Sequence, residues 1–196
     1  LALLGEDRLD SLPGLQRHQE DAFHIFCCYL ASAVLTRGVE TNPGRSAEYW
    51  REGIRKLTRA EGCVDDNGWT LVVDDPTKPG FMQPPVPSRE LFARDYKADA
   101  ATPDALDVLI TSKNHDVKKS RAANANAEAW LFALISLQTT AGLLGKGSGG
   151  GMNRGIGRMN SGYGSRPRVG WQLATRPGPQ FVRDVSVLLA NRTTLL

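Results

Sequence analysis

Arginine and glycine crowd one stretch of this chain. Between Gly145 and Arg183 stand Lys146, Arg154, Arg158, Arg166, Arg168, Arg176 and Arg183, with no Asp or Glu among them. Six of these seven cations are Arg, whose planar fork matches phosphate oxygens and can enter a minor groove. From Asn153 to Arg166, Gly alternates with Arg, Asn and one aromatic residue. Glycine lets a backbone approach a partner closely and adopt positive φ. Arg supplies phosphate contacts, Asn and bare backbone N–H groups reach base edges, and Tyr163 can stack on a base or sugar. The chemistry that suits this pattern is nucleic-acid binding. Arg154, Arg158, Arg166 and Arg168 are the expected phosphate clamp. A glycine-rich turn held by its own Asn and Ser hydrogen bonds is the alternative.

Charge is divided along the chain. The net charge of +3 hides a first part, residues 1–110, with 12 Lys+Arg and 18 Asp+Glu, and a second, residues 111–196, with 12 and 3. A sign asymmetry of this kind suits a polyanionic partner. A solvated basic loop would also account for it, as would pairing of the early acids with the late cations. A second basic group surrounds His115, where Lys113, Lys118, Lys119 and Arg121 can face phosphate. His115 beside Asp116 invites a catalytic reading, but neighbours in sequence rarely make that hydrogen bond well, and no partnered nucleophile is evident.

Other candidate chemistries are weaker. Gly145-Lys146-Gly147-Ser148-Gly149-Gly150 fits a G-x-G-x-x-G pattern, yet the expected helix precedes it and more loop follows, opposite to a dinucleotide fingerprint. Residues 145–151 read as linker. Asp65-Asp66 and Asp74-Asp75 lack a supporting His and read as turn formers. Cys27, Cys28 and Cys63 form no C-x-x-C, and His18, His24 and His115 add no recognised zinc spacing. Buried reduced thiols are expected, with no cofactor and no metal. The sequon Asn191-Arg192-Thr193 reads as chance. No apolar run reaches the roughly 18 residues of a bilayer span, and no secretory leader is read at the N-terminus, so a cytoplasmic location is expected.

The elements that must position these residues follow from periodicity. His18–Thr36 carries apolar residues at helical spacing and should be a largely buried helix ended by Gly38. Thr41–Gly44 is a turn, and Ser46 can cap a second helix over about residues 47–60. Trp69–Val73 reads as a short strand, and residues 74–87, with five prolines, as a loop. Asp104–Ile110 reads as a strand or helical turn. Residues 125–144 form a strong helix whose Trp130, Leu131, Ala133, Leu134 and Leu137 should face the core. Pro167–Leu173 and Phe181–Leu189 read as strands, or as a strand followed by a helix. The expected class is α+β: one domain over residues 1–196, two or three helices packed on a small sheet, with residues 145–166 as a DNA-facing loop.

Several motifs come in an order that resembles one family. These are Phe81-Met82-Gln83, Ser112-Lys113-Asn114-His115-Asp116, Trp130–Leu134 with Leu137-Gln138-Thr139, and Arg158–Pro167. The chain resembles, over about residues 65–190, the N-terminal-domain portion of the large subunit of the type I-E CRISPR Cascade surveillance complex and its close variants. The resemblance implies a non-catalytic subunit seated near the guide RNA's 5′ handle among the other Cascade subunits. It implies recognition of the protospacer-adjacent motif in duplex DNA, help in opening that duplex, and recruitment of a helicase–nuclease. The family's glycine loop corresponds best to Asn160, Ser161, Gly162, Tyr163 and Gly164. That subunit is longer, so the chain reads as a fragment or a shortened variant. Without the resemblance, the residues fit a general Gly/Arg module for single-stranded nucleic acid.

Overall fold

Helical spacing in residues 18–36 is realised as α2, Arg17–Arg37. Gln19 Oε1 accepts a hydrogen bond from Gln16 N at 3.1 Å and so covers one open donor at its start. At its other end Val39 N donates to Thr36 O at 3.2 Å and Glu40 N to Leu35 O at 2.8 Å. That pair of bonds requires a left-handed residue, and the chain places Val39 there, with φ 55°. Gly38 precedes it in ordinary helical geometry. Its missing side chain serves packing instead, since a Cβ would lie 2.7 Å from the Tyr49 hydroxyl.

The structure is a computed structural model. It describes residues 1–12, 14–60, 66–83, 85–95, 102–103, 126–141 and 176–195. The chain divides into two compact units: Leu1–Asp65 with Arg166–Leu196, and Asp66–Ser165.

The regular elements among the first unit's described residues are all helices, joined by turns and irregular segments. α1, Ala2–Gly5, and α2 both pack on α6, Pro177–Ala190, and α3, Ala47–Ala60, packs on α2. Ser46 caps α3 as expected, its Oγ accepting from Tyr49 N at 3.3 Å. α3 turns Trp50 inward, with Ile54 and Leu57 against the core, and keeps the Glu48–Arg51 and Glu52–Arg55 pairs on its outer face. Gly53 permits the close approach to α2: a Cβ there would stand 2.3 Å from Val34 Cγ1. α6 starts on Pro177, whose fixed φ suits a first helical turn. It buries Phe181, Val185, Leu188 and Leu189 against Cys28, Ala31 and Leu35 of α2.

The second unit is irregular around its helices. A 3-10 turn, Asn67–Trp69, leads into the proline-rich loop, followed by α4, Arg89–Asp95. Asn126 Oδ1 accepts from Ala129 N at 2.8 Å and caps α5, Ala127–Ser136, which widens into a π-helical turn over Leu137–Ala141. Ala133 and Leu134 are buried as expected, and so are Ile135 and Ser136; Trp130, Leu131 and Leu137 are half-buried.

These observations overturn the α+β class. Among the described residues there is no sheet, only an isolated antiparallel bridge between Gly80 and Gln83. Trp69–Val73 is not a strand. Its β-branched run has no strand to pair with among the described residues, and Val72 is 76% exposed. Phe181–Leu189 lies inside α6, because Phe181, Val185, Leu188 and Leu189 recur at i, i+4, i+7 and i+8. Asp104–Ile110 and Pro167–Leu173 lie outside the described residues.

Candidate functional site

The residues expected to meet DNA fall almost wholly outside the described part of the chain. This holds for Lys113, Lys118, Lys119, Arg154, Arg158, Asn160, Ser161, Gly162, Tyr163, Gly164, Arg166 and Arg168, and for His115 and Cys63. Two cations at the far end of the basic stretch are described, and both are engaged. Arg176 donates to Asp7 O at 3.0 Å and stands 3.3 Å from Asp7 Oδ2 and 3.2 Å from Asp10 Oδ1. It ties the start of α6 to the residues after α1, where Gly178 is needed because a Cβ would lie 2.5 Å from Asp7 Oδ1. Arg183 donates through Nε to Asp184 Oδ1 at 2.8 Å. Pairing of an early acid with a late cation is therefore real at Asp7–Arg176. Arg176 and Arg183 are thus committed within the helical unit, and Lys146–Arg168 lies outside the described residues.

The most concentrated chemistry in the first unit is buried. His24 and Cys28 lie four residues apart on α2, hence on one face, and Asp184 faces them from α6. His24 Nε2 is 2.8 Å from Asp184 Oδ2, and Cys28 Sγ is 3.5 Å from the same nitrogen. All three residues are buried, and their ligand atoms lie within 4.8 Å of one another. Burial, reinforced by Cys27 and the Asp184 carboxylate and opposed by Arg183, holds the Cys28 thiol far above the ordinary cysteine range. Burial likewise pushes the Cys27 thiol up to about 12. Both thiols are free and buried, as expected from the sequence. The hydrogen bond to Asp184 holds the Arg183 guanidinium above its ordinary value.

This is not the geometry of a cysteine–histidine–aspartate relay. A relay needs the carboxylate on one ring nitrogen and the thiol on the other, so that a proton can cross the ring. Here both approach Nε2. A raised thiol value also works against a thiolate nucleophile. The donor set is instead one that can hold a metal ion. Sequence reasoning missed it because the local signal is only His24 with Cys28 at i+4, and the third partner is 160 positions away.

In the second unit the structure brings two of the ordered motifs together. Gly80 and Gln83 exchange backbone hydrogen bonds at 3.0 Å each, which fixes a tight turn with Met82 at φ 54°. Gln138 Nε2 donates to Met82 O at 2.7 Å. Gln83 Nε2 donates to Leu71 O at 2.8 Å, and Phe81 packs on Trp69 at 5.6 Å between ring centroids. Residues 81–83 and 137–139 thus form one local assembly.

No helix among the described residues is long and apolar enough to cross a membrane. Comparison with protein-family models, curated proteins and solved structures finds no significant match.

Proposed function

We propose that the chain is a non-catalytic nucleic-acid-binding subunit of an RNA-guided Cascade-type complex. In this reading it recognises a short motif in duplex DNA and helps begin strand opening beside the guide RNA. The observation that carries the reading is the basic stretch Lys146–Arg168. It holds five cations, four of them Arg, inside a run of sequence without an acid from Ala129 to Arg183. The engagement of Arg176 and Arg183 within the helical unit removes those two cations from the DNA-facing candidates. Asn160–Gly164 is the proposed reading element. Arg154, Arg158, Arg166 and Arg168 are the proposed phosphate contacts, with Lys113, Lys118 and Lys119 as a secondary cluster.

Replacing Arg154, Arg158 and Arg166 together by Ala should weaken target-duplex binding by the assembled guide-RNA complex. The slope of log affinity against log salt should fall by about one unit per lost phosphate contact. Target binding that is unchanged by the triple substitution would overturn the proposal. The glycine richness of the stretch also favours a second reading, a loop that orders on any single strand without motif preference. Competition between duplexes with and without a candidate motif separates the two: equal competition supports the general module.

A further inference from the structure

Two groups converge on one atom in the first unit, and one ring nitrogen cannot give both a full, linear hydrogen bond. Asp184 Oδ2 and Cys28 Sγ stand 2.8 and 3.5 Å from His24 Nε2. If that nitrogen carries hydrogen it serves one acceptor; if it is bare it accepts from the thiol and the carboxylate goes without. A cation among the three atoms uses a lone pair from each. We propose that His24, Cys28 and Asp184 bind a zinc ion that clamps α2 to α6.

The chemistry of the donors favours zinc. One imidazole nitrogen, one sulfur and one carboxylate oxygen form a borderline set that suits zinc or cobalt, whereas magnesium and calcium take oxygen almost alone. Zinc bonds of about 2.0–2.3 Å place tetrahedral ligand atoms roughly 3.3–3.8 Å apart. The three ligand atoms lie within 4.8 Å of one another, so metal binding requires the 2.8 Å Nε2–Oδ2 pair to open slightly and any wider pair to close. The carboxylate is already oriented: Arg183 Nε holds Asp184 Oδ1 at 2.8 Å, which leaves Oδ2 turned to His24. Such a contact behind a ligand fixes its direction.

Two further groups point to a fourth ligand. Ser32 Oγ and Gln180 Nε2 are buried without a hydrogen-bond partner. Ser32 lies one turn beyond Cys28, and Gln180 one turn before Asp184, each on the ligand-bearing face of its helix. In the proposed site the fourth ligand is either Ser32 Oγ or a water. Binding expels the thiol proton to solvent and forms a zinc–thiolate bond, so metal affinity becomes folding free energy that joins segments 160 positions apart.

The test uses the full chain, stripped with a chelator and titrated with cobalt and then zinc. One equivalent of cobalt should give a thiolate-to-metal charge-transfer band and the visible bands of a tetrahedral ion, and zinc should erase both. Zinc at a hundredfold excess over its Kd should raise Tm by roughly 5–10 °C. Cys27→Ser and Cys63→Ser should keep the bands, while Cys28→Ser and Asp184→Asn should lose them. The wild-type titration decides even where a variant fails to fold. Absence of both the charge-transfer band and a zinc-dependent Tm shift in the wild-type chain overturns the proposal. So do bands of full intensity in folded Cys28→Ser.

Discussion

The described parts of the two units differ in what holds them together. In the first, α1, α2, α3 and α6 share a continuous apolar cluster that runs from Leu4 through Leu35 and Trp50 to Phe181 and Leu189. In the second, residues 69–86 bury only Phe81 and Val86 among their described hydrophobics and are tied by single hydrogen bonds: Phe81 N to Thr70 O, Val86 N to Pro76 O, and Gln83 Nε2 to Leu71 O, all at 2.8 Å. An apolar core is non-directional and tolerates exchange among residues of similar volume. A set of single polar bonds is directional, and each bond fixes one loop position. The difference teaches where the identity of one side chain counts. In the second unit a single side chain, such as Gln83 or Gln138, sets a backbone position.

The comparison breaks first at Phe181, which is 0% exposed at the centre of the apolar cluster. Phe181→Ala removes a buried ring and leaves a cavity, so it should cost about 3–5 kcal/mol of stability. Urea unfolding of the wild-type and variant chains measures this. A cost below about 1 kcal/mol would mean that the cluster collapses around the gap and that apolar packing does not dominate the first unit.

The same contrast explains what could be read from the sequence. α2 and α3 were legible because periodic apolar residues, Gly38 and Ser46 all mark helix faces and ends locally. α6 was read with strands as an alternative, since a run of Val and Leu looks alike in both until Phe181, Val185 and Leu188 are counted at helical spacing. The proposed strand at Trp69–Val73 was a misreading of propensity. Leu71, Val72 and Val73 favour strands only when a partner strand and a buried face exist, and Val72 is 76% exposed. Asp184 could not be linked to His24 at all, because no local pattern connects positions 160 apart. The residues expected to contact DNA were named from composition and resemblance, and they lie outside the described residues.

A smaller effect sharpens the account of the second unit. Gln138 is 2% exposed and gives its Nε2 hydrogen to Met82 O. Gln138→Leu keeps the volume close but leaves that carbonyl without its donor, so it should cost about 1–2 kcal/mol. Amide exchange at Gly80 and Gln83, which bond to each other across the turn, should speed up in the variant. If exchange there is unchanged, the turn is held by the mutual Gly80–Gln83 bonds, and Gln138 is a guest rather than a support.

The smallest expected effect compares two residues with the same backbone conformation in different settings. Val39 and Met82 both have positive φ, 55° and 54°. A left-handed residue with a side chain carries about 1–2 kcal/mol of strain, and glycine relieves it at a cost of about 0.5–1 kcal/mol in chain entropy. Val39 is 84% exposed, so its side chain contributes little packing to offset the strain. Val39→Gly should therefore stabilise the chain by about 0.5–1 kcal/mol, seen as a higher urea midpoint with an unchanged slope. Met82 is half-buried, and its removal forfeits packing as well as strain. Met82→Gly should therefore be neutral or destabilising. Equal stabilisation by both substitutions would show that Met82 packs no better than Val39, and that the turn owes its conformation to backbone hydrogen bonds alone.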